Sequence, residues 1–140
     1  GRAIFVRTRM PIDDLGTYRI TIRVKQIKAN SNGGEDSFYC GVVGVDHNGN
    51  YLSTDKAYGY HSGVAINNQT MKSQLGQTKT FTGDFSGFND TTEGDHNKFD
   101  PGSCFFDVVI LTGYNSSADL NNQSDSETLI EYLEVKKLDA

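Results

Sequence analysis

Residues 18–24 read YRITIRV, and this strict alternation limits what the chain can build more than any other stretch. Tyr18, Ile20, Ile22 and Val24 fall on one side of an extended segment, and Arg19, Thr21, Arg23 and Lys25 on the other. A period of two with one apolar face describes a strand lying on a core with its other face in water. FYCGVVGV (38–45) and CFFDVVILT (104–112) are apolar in both phases, as central strands of a two-layer sandwich are. Ala3–Met10 reads as a strand before the Pro-Ile-Asp-Asp turn, Tyr51–Ser53 and Val64–Ile66 as short strands, and KTFTGDF (79–85) alternates again. In TLIEYLEVKKL (128–138) a helix is conceivable, but Thr128, Ile130, Tyr132 and Val135 favour a strand.

Punctuation supports the same architecture. DHNGN (46–50) is a hairpin signal, with Asn48-Gly49 supplying the left-handed turn residues. Its Asp-x-Asn-Gly-Asn string also resembles the start of a calcium loop. Position twelve from Asp46 is Ala57, where such a loop needs a bidentate Glu, so the hairpin is the better reading. Residues 29–37, 86–103 and 113–127 are polar loops, and 56–68 is ambiguous. Fifteen glycines, two prolines and 36% hydrophobic residues in 140 fit a single strand-rich domain with a real core. About eight strands in an all-β, two-sheet antiparallel sandwich of jelly-roll type are expected. Its core is expected from Tyr18, Ile20, Ile22, Val24, Phe38, Cys40, Val42, Phe106, Val108 and Ile110.

Charge and cysteine usage narrow the function. A formal net charge of −5 argues against a general nucleic-acid binder, which needs a basic face. Residues 1–28 hold seven Arg/Lys against two Asp, and 84–127 hold nine Asp/Glu against Lys98 alone. Solvated strands and loops are the better reading of both sets, and a cation or ligand role is the alternative. Cys40 and Cys104 lie in apolar runs and read as two buried free thiols rather than a disulfide. No apolar stretch approaches the ~20 residues of a spanning helix, so membrane insertion is not expected. A first residue Gly1 reads as a processed product or an excised domain.

No GxSxG elbow, HExxH motif or phosphate-cradling glycine loop is present, and His47, His61 and His96 share no metal-ligand spacing. His61 with Asp55 and Ser62 matches no hydrolytic order, so no enzymatic activity is expected and a small hydrolase ranks last. Binding fits better. Sugars offer apolar C–H faces and hydroxyls, which aromatic rings and Asn, Asp or Arg side chains complement. The stretch KAYGYHSG (56–63) supplies Tyr58, Tyr60 and His61. Tyr114, Asn115 and Phe88 are further candidates, with packing as the competing role for each ring. Alternation places Tyr58 and Tyr60 on one side as a partly exposed platform.

MPIDDLGTYRITIRVKQ, then FYCGVVGVDHNGNYLS, TFTGDFSG (80–87), FDPG (99–102), the pair Tyr114-Asn115 and Glu131 in IEYLEV follow one another in an informative order. In that order they resemble the carbohydrate-binding-module-like jelly roll of bacteriophage tail fibres and related receptor-binding proteins. The resemblance spans nearly the whole chain, which departs from the pattern in lacking tryptophan. It implies a non-catalytic module at the virion tail fibre, outside the cell, that helps recognise bacterial surface polysaccharide. It also implies other fibre subunits as partners, with a homotrimeric parent. The alternative is a purely structural, assembly segment of the fibre. No cofactor is expected; a structural Ca²⁺ of the kind such modules hold is the less favoured alternative, with Asp13, Asp14 and Glu131 as its candidate ligands.

Overall fold

The computed structural model describes residues 2–13, 16–31, 35–52, 63–86, 99, 102–112 and 125–138. Eight strands and one short helix run in the order β1 (Arg2–Pro11), β2 (Thr17–Lys28), β3 (Phe38–Val45), β4 (Tyr51–Leu52), β5 (Val64–Ile66), α1 (Asn68–Ser73), β6 (Thr78–Ser86), β7 (Phe105–Thr112) and β8 (Glu127–Leu138). They form two antiparallel sheets. One has the order β1-β7-β3, with β4 and β5 both on the free edge of β3; the other is β6-β2-β8. The all-β sandwich expected from the alternation is what the chain adopts. Successive strands change sheet at β1–β2, β2–β3, β5–β6, β6–β7 and β7–β8, so most pairings join segments distant in sequence.

The core lies between the sheets and contains all ten residues expected of it, from Tyr18 to Ile110. Val64, Ile66, Met71, Phe85 and Phe99 join them. Four rings pack at one end: Tyr18 stacks on Phe85 at 5.5 Å between centroids, and Phe106 meets both edge-on at 5.2 and 5.4 Å. Phe99 closes the group against Phe85 and Phe106. The Tyr18 hydroxyl satisfies itself locally, accepting from the Asp13 backbone N–H at 2.7 Å and facing the Pro11 carbonyl at 3.3 Å. It thereby ties the Pro-Ile-Asp turn to the core.

One pair further along β2 and β6, the two layers touch backbone to backbone. Gly83 of β6 pairs with Ile20 and so faces inward. A β-carbon there would stand 1.9 Å from the Gly63 carbonyl oxygen. Gly63 itself has φ of 113° and sits against Cys40 and Ile20. Neither position has room for a side chain.

Two features depart from expectation. Asn68–Ser73, which starts at the end of the ambiguous stretch, forms α1, capped by the Asn67 side chain accepting from the Thr70 N–H at 2.8 Å. Its Met71 plugs the core. Cys40 is buried as expected, but Cys104 is exposed, and both are free. Cys104 falls one residue before β7, past the end of the buried strand, although its backbone still bonds Val45 and Ile12. Burial pushes the Cys40 thiol up to about 12.

Two measurements follow from this packing. Gly83→Ala should cost more than the ~1–3 kcal/mol typical of overpacking, because backbone rather than a rotatable side chain opposes the new atom. Urea titration checks this, and a wild-type midpoint would contradict the sheet contact. A thiol reagent should label one cysteine, Cys104, in the native protein and two after denaturation.

Candidate functional site

Asp107 occupies the middle of β7, is fully buried, and points to the outer face of the five-stranded sheet, away from the main core. A buried carboxylate must be paired or hydrogen-bonded. Strand β1 meets that demand by bulging: Val6 pairs with Val108 and Met10 with Phe106, so residues 7–9 face Asp107 alone. Within the bulge Arg9 takes φ of 42°. Its backbone N–H donates to Asp107 Oδ1 at 2.8 Å and its Nε to Oδ2 at 3.2 Å. Thr8 Oγ1 donates to the Phe106 carbonyl and fastens the other side of the bulge. The Tyr51 hydroxyl completes the set, donating to Asp107 Oδ2 at 2.8 Å from the opposite edge of the sheet.

This reach lays Tyr51 across the outer face. Its ring centre comes within 5.0 Å of Phe5, which belongs to β1, although β1 and β4 are separated by two strands. The Arg9 guanidinium carbon lies 5.8 Å from the Tyr51 centroid. Between the edges, Val43, Val109 and Leu111 form a second buried cluster with Tyr39 packed on it. Both rings stay 45% exposed, a half-open aromatic pair over an apolar sheet face.

Beside the pair lies a depression of about 410 Å³ lined by Arg7, Arg9, Asp46, His47, Asn48, Gly49 and Phe105. One wall is the Asp46–Asn50 turn, which forms the expected hairpin. Asp46 Oδ1 accepts from the backbone N–H groups of Asn50 at 2.8 Å and Asn48 at 2.9 Å. These bonds, that to Asn50 foremost, hold its carboxyl below the ordinary range against a smaller opposing desolvation. The carboxylate therefore stabilises its own turn.

No protein-family model, curated protein or solved structure matches this chain. The site is thus read from its geometry.

The residues singled out by sequence are placed as follows. Tyr58, Tyr60, His61, Phe88, Tyr114, Asn115 and Asp14 lie outside the described residues. Asp13 accepts from Lys137 Nζ at 2.6 Å. Glu131 is the extra residue of a bulge in β8, between the partners of Arg23 and Val24. Six residues of strand, roughly 20 Å, separate it from Lys137, so Asp13 and Glu131 are not brought together. Among the described residues no three His, Cys, Asp or Glu side chains converge on one point. Two buried acceptors, Gln26 Oε1 and Asp36 Oδ2, have no hydrogen-bond partner among the described residues. The facing atoms of that pair are bonded, Gln26 Nε2 to Asp36 Oδ1 at 3.0 Å, and the Asn30 N–H also donates to Oδ1.

Phe5, Arg9, Tyr51 and Asp107 carry the arrangement, and sequence reasoning passed over all four. The available signal was Asp107 itself, a lone charge inside an otherwise apolar strand.

Desolvation first, and then the hydrogen bond to Asp107, raise the Tyr51 pKa above its ordinary value. With the folded-state pKa above the unfolded one, the stabilisation is complete below pH ~10 and is lost as pH rises through the folded value. Tyr51→Phe should destabilise by about 1.5–3 kcal/mol at neutral pH, the size of one bond to a charged acceptor. It should also flatten the alkaline arm of the stability curve. Thermal melts between pH 7 and 11 check both effects.

Proposed function

We propose that this chain is a non-catalytic glycan-binding module. The observation that carries the reading is the Phe5–Tyr51 pair, two half-exposed rings 5.0 Å apart beside a depression rich in Arg, Asn and His. Aromatic faces complement the C–H faces of a sugar ring, and the neighbouring polar groups can replace water on its hydroxyls. Preorganisation supports it: Asp107 locks Tyr51 and Arg9, so little side-chain freedom is lost on binding. The resemblance in sequence order to tail-fibre modules points to bacterial surface polysaccharide as the ligand and a virion fibre as the setting.

A second reading, an assembly segment within a trimeric fibre, is favoured by Ile27 and Leu129, which lie exposed on adjoining strands of the three-stranded sheet. Light scattering separates the two, since an assembly role requires self-association that Leu129→Lys abolishes.

For the first reading, a glycan array with the isolated chain should give weak but selective hits. Phe5→Ala should reduce that binding about tenfold, equivalent to ~1.4 kcal/mol. It should lower stability by less than the ~3–5 kcal/mol of a truncated core aromatic. An array without hits, or binding indifferent to Phe5, would sink the proposal.

A further inference from the structure

The depression has a sign. Its lining carries two guanidinium groups, Arg7 and Arg9, and one carboxylate, Asp46, in a chain whose formal net charge is −5. Asp46 is turned into its own hairpin: Oδ1 takes the N–H groups of Asn48 and Asn50, and Oδ2 faces the Asn50 amide at 3.5 Å. Arg9 is oriented the other way. Its Nε is committed to Asp107, which leaves the Nη edge of the fork for the depression. A β-carbon at Gly49 would stand 3.4 Å from Arg9 Nη1, so the guanidinium lies against the turn where glycine, at φ of 85°, leaves it space.

A planar guanidinium fixed by Asp107 and Tyr51, with Nη1 beside Gly49 at the depression, matches a carboxylate's two oxygens better than it matches a hydroxyl. Arg7 adds a second positive charge from the same bulge, Asn48 can offer an amide, and Phe105 gives an apolar wall. The volume, about 410 Å³, is at the lower end of ordinary small-ligand sites and suits one or two sugar residues.

We infer that this depression is a subsite for the carboxylate of an acidic, uronate-type sugar, an inference that rests on the glycan-binding reading and specifies its ligand class. Asp107 acts in it as a positioning residue: its buried carboxylate fixes the bulge, and the bulge presents Arg7 and Arg9 beside the Phe5–Tyr51 rings. The neighbouring sugar of the same chain then stacks on those rings.

The test uses matched oligosaccharides: uronate-containing chains, the same chains after reduction of their carboxyl groups to neutral sugars, and sulfated counterparts. Affinities are measured by titration calorimetry and backbone amide NMR shifts. The wild-type protein should bind the uronate member about tenfold or more tighter than its reduced twin, with the preference shrinking as salt rises. Arg7→Gln, at an exposed position that leaves the packing intact, should cut the preference to under about threefold. Arg9→Lys keeps the charge but removes the fork and should lose the preference as well. Equal affinity for both twins would overturn the inference and leave the glycan reading standing. A preference that survives both arginine substitutions, or tighter binding of sulfated than uronate chains, would overturn it too. Binding of none of the oligosaccharides would overturn the inference and the glycan reading together.

Discussion

One buried carboxylate organises the outer face of the larger sheet. Asp107 could not sit in a central strand without donors, and no neighbouring residue on β3 offers a side-chain donor at that level, since its direct partner there is Val43. The donors come from both edges instead. Strand β1 gives up regular pairing over three residues and accepts an unfavourable left-handed backbone at Arg9, while β4 contributes the Tyr51 hydroxyl. The aromatic pair, the oriented guanidinium and the adjoining depression are all consequences of satisfying that one group. A valine at the same position would suit the strand equally well and would remove the reason for each of them.

The two outer faces show how differently sheets in one sandwich can be finished. On the three-stranded sheet, Arg19 makes a bidentate contact with Asp84, and Arg23 lies over Tyr132, whose hydroxyl donates to Glu134. These are exposed groups whose pairings add little stability and keep the face wet. On the five-stranded sheet the corresponding layer is apolar, with a single charged cluster at its centre. Among the described residues, only the second face sets apolar and charged surface side by side in this way.

Much of this fold was readable because alternation and burial are local properties. YRITIRV announces its core face residue by residue, and the observed burial of β2 follows it from Tyr18 to Val24. The 104–112 run was readable as a buried strand for the same reason, and Asp107 was overlooked because the apolar average hid it. Helix α1 escaped because six residues make less than two turns, too few for a period of 3.6 to show. Cys104 misled because apolar neighbours say where a strand runs but not where the sandwich interface stops. The Phe5–Tyr51 contact is of another kind. It depends on a bulge in one edge strand and a hairpin on the other, and no window of sequence contains both.

The connectivity has a consequence for synthesis. Thr8 bonds Phe106 across 98 residues of chain, and β2 lies between β6 and β8, both of which are made much later. At ribosomal speeds of ~5–20 residues per second, β1 waits roughly 5–20 s for β7, and β2 roughly 3–10 s for β6, the earlier of its two partners. During that wait an amphipathic strand such as β2 is a nucleus for aggregation. Arg19, Arg23 and Lys25, two of which in the finished sandwich pair with Asp84 and Tyr132, are then guards: three positive charges between positions 19 and 25 penalise the stacking of one nascent chain on another. The alternation that directs folding also protects the unfinished chain.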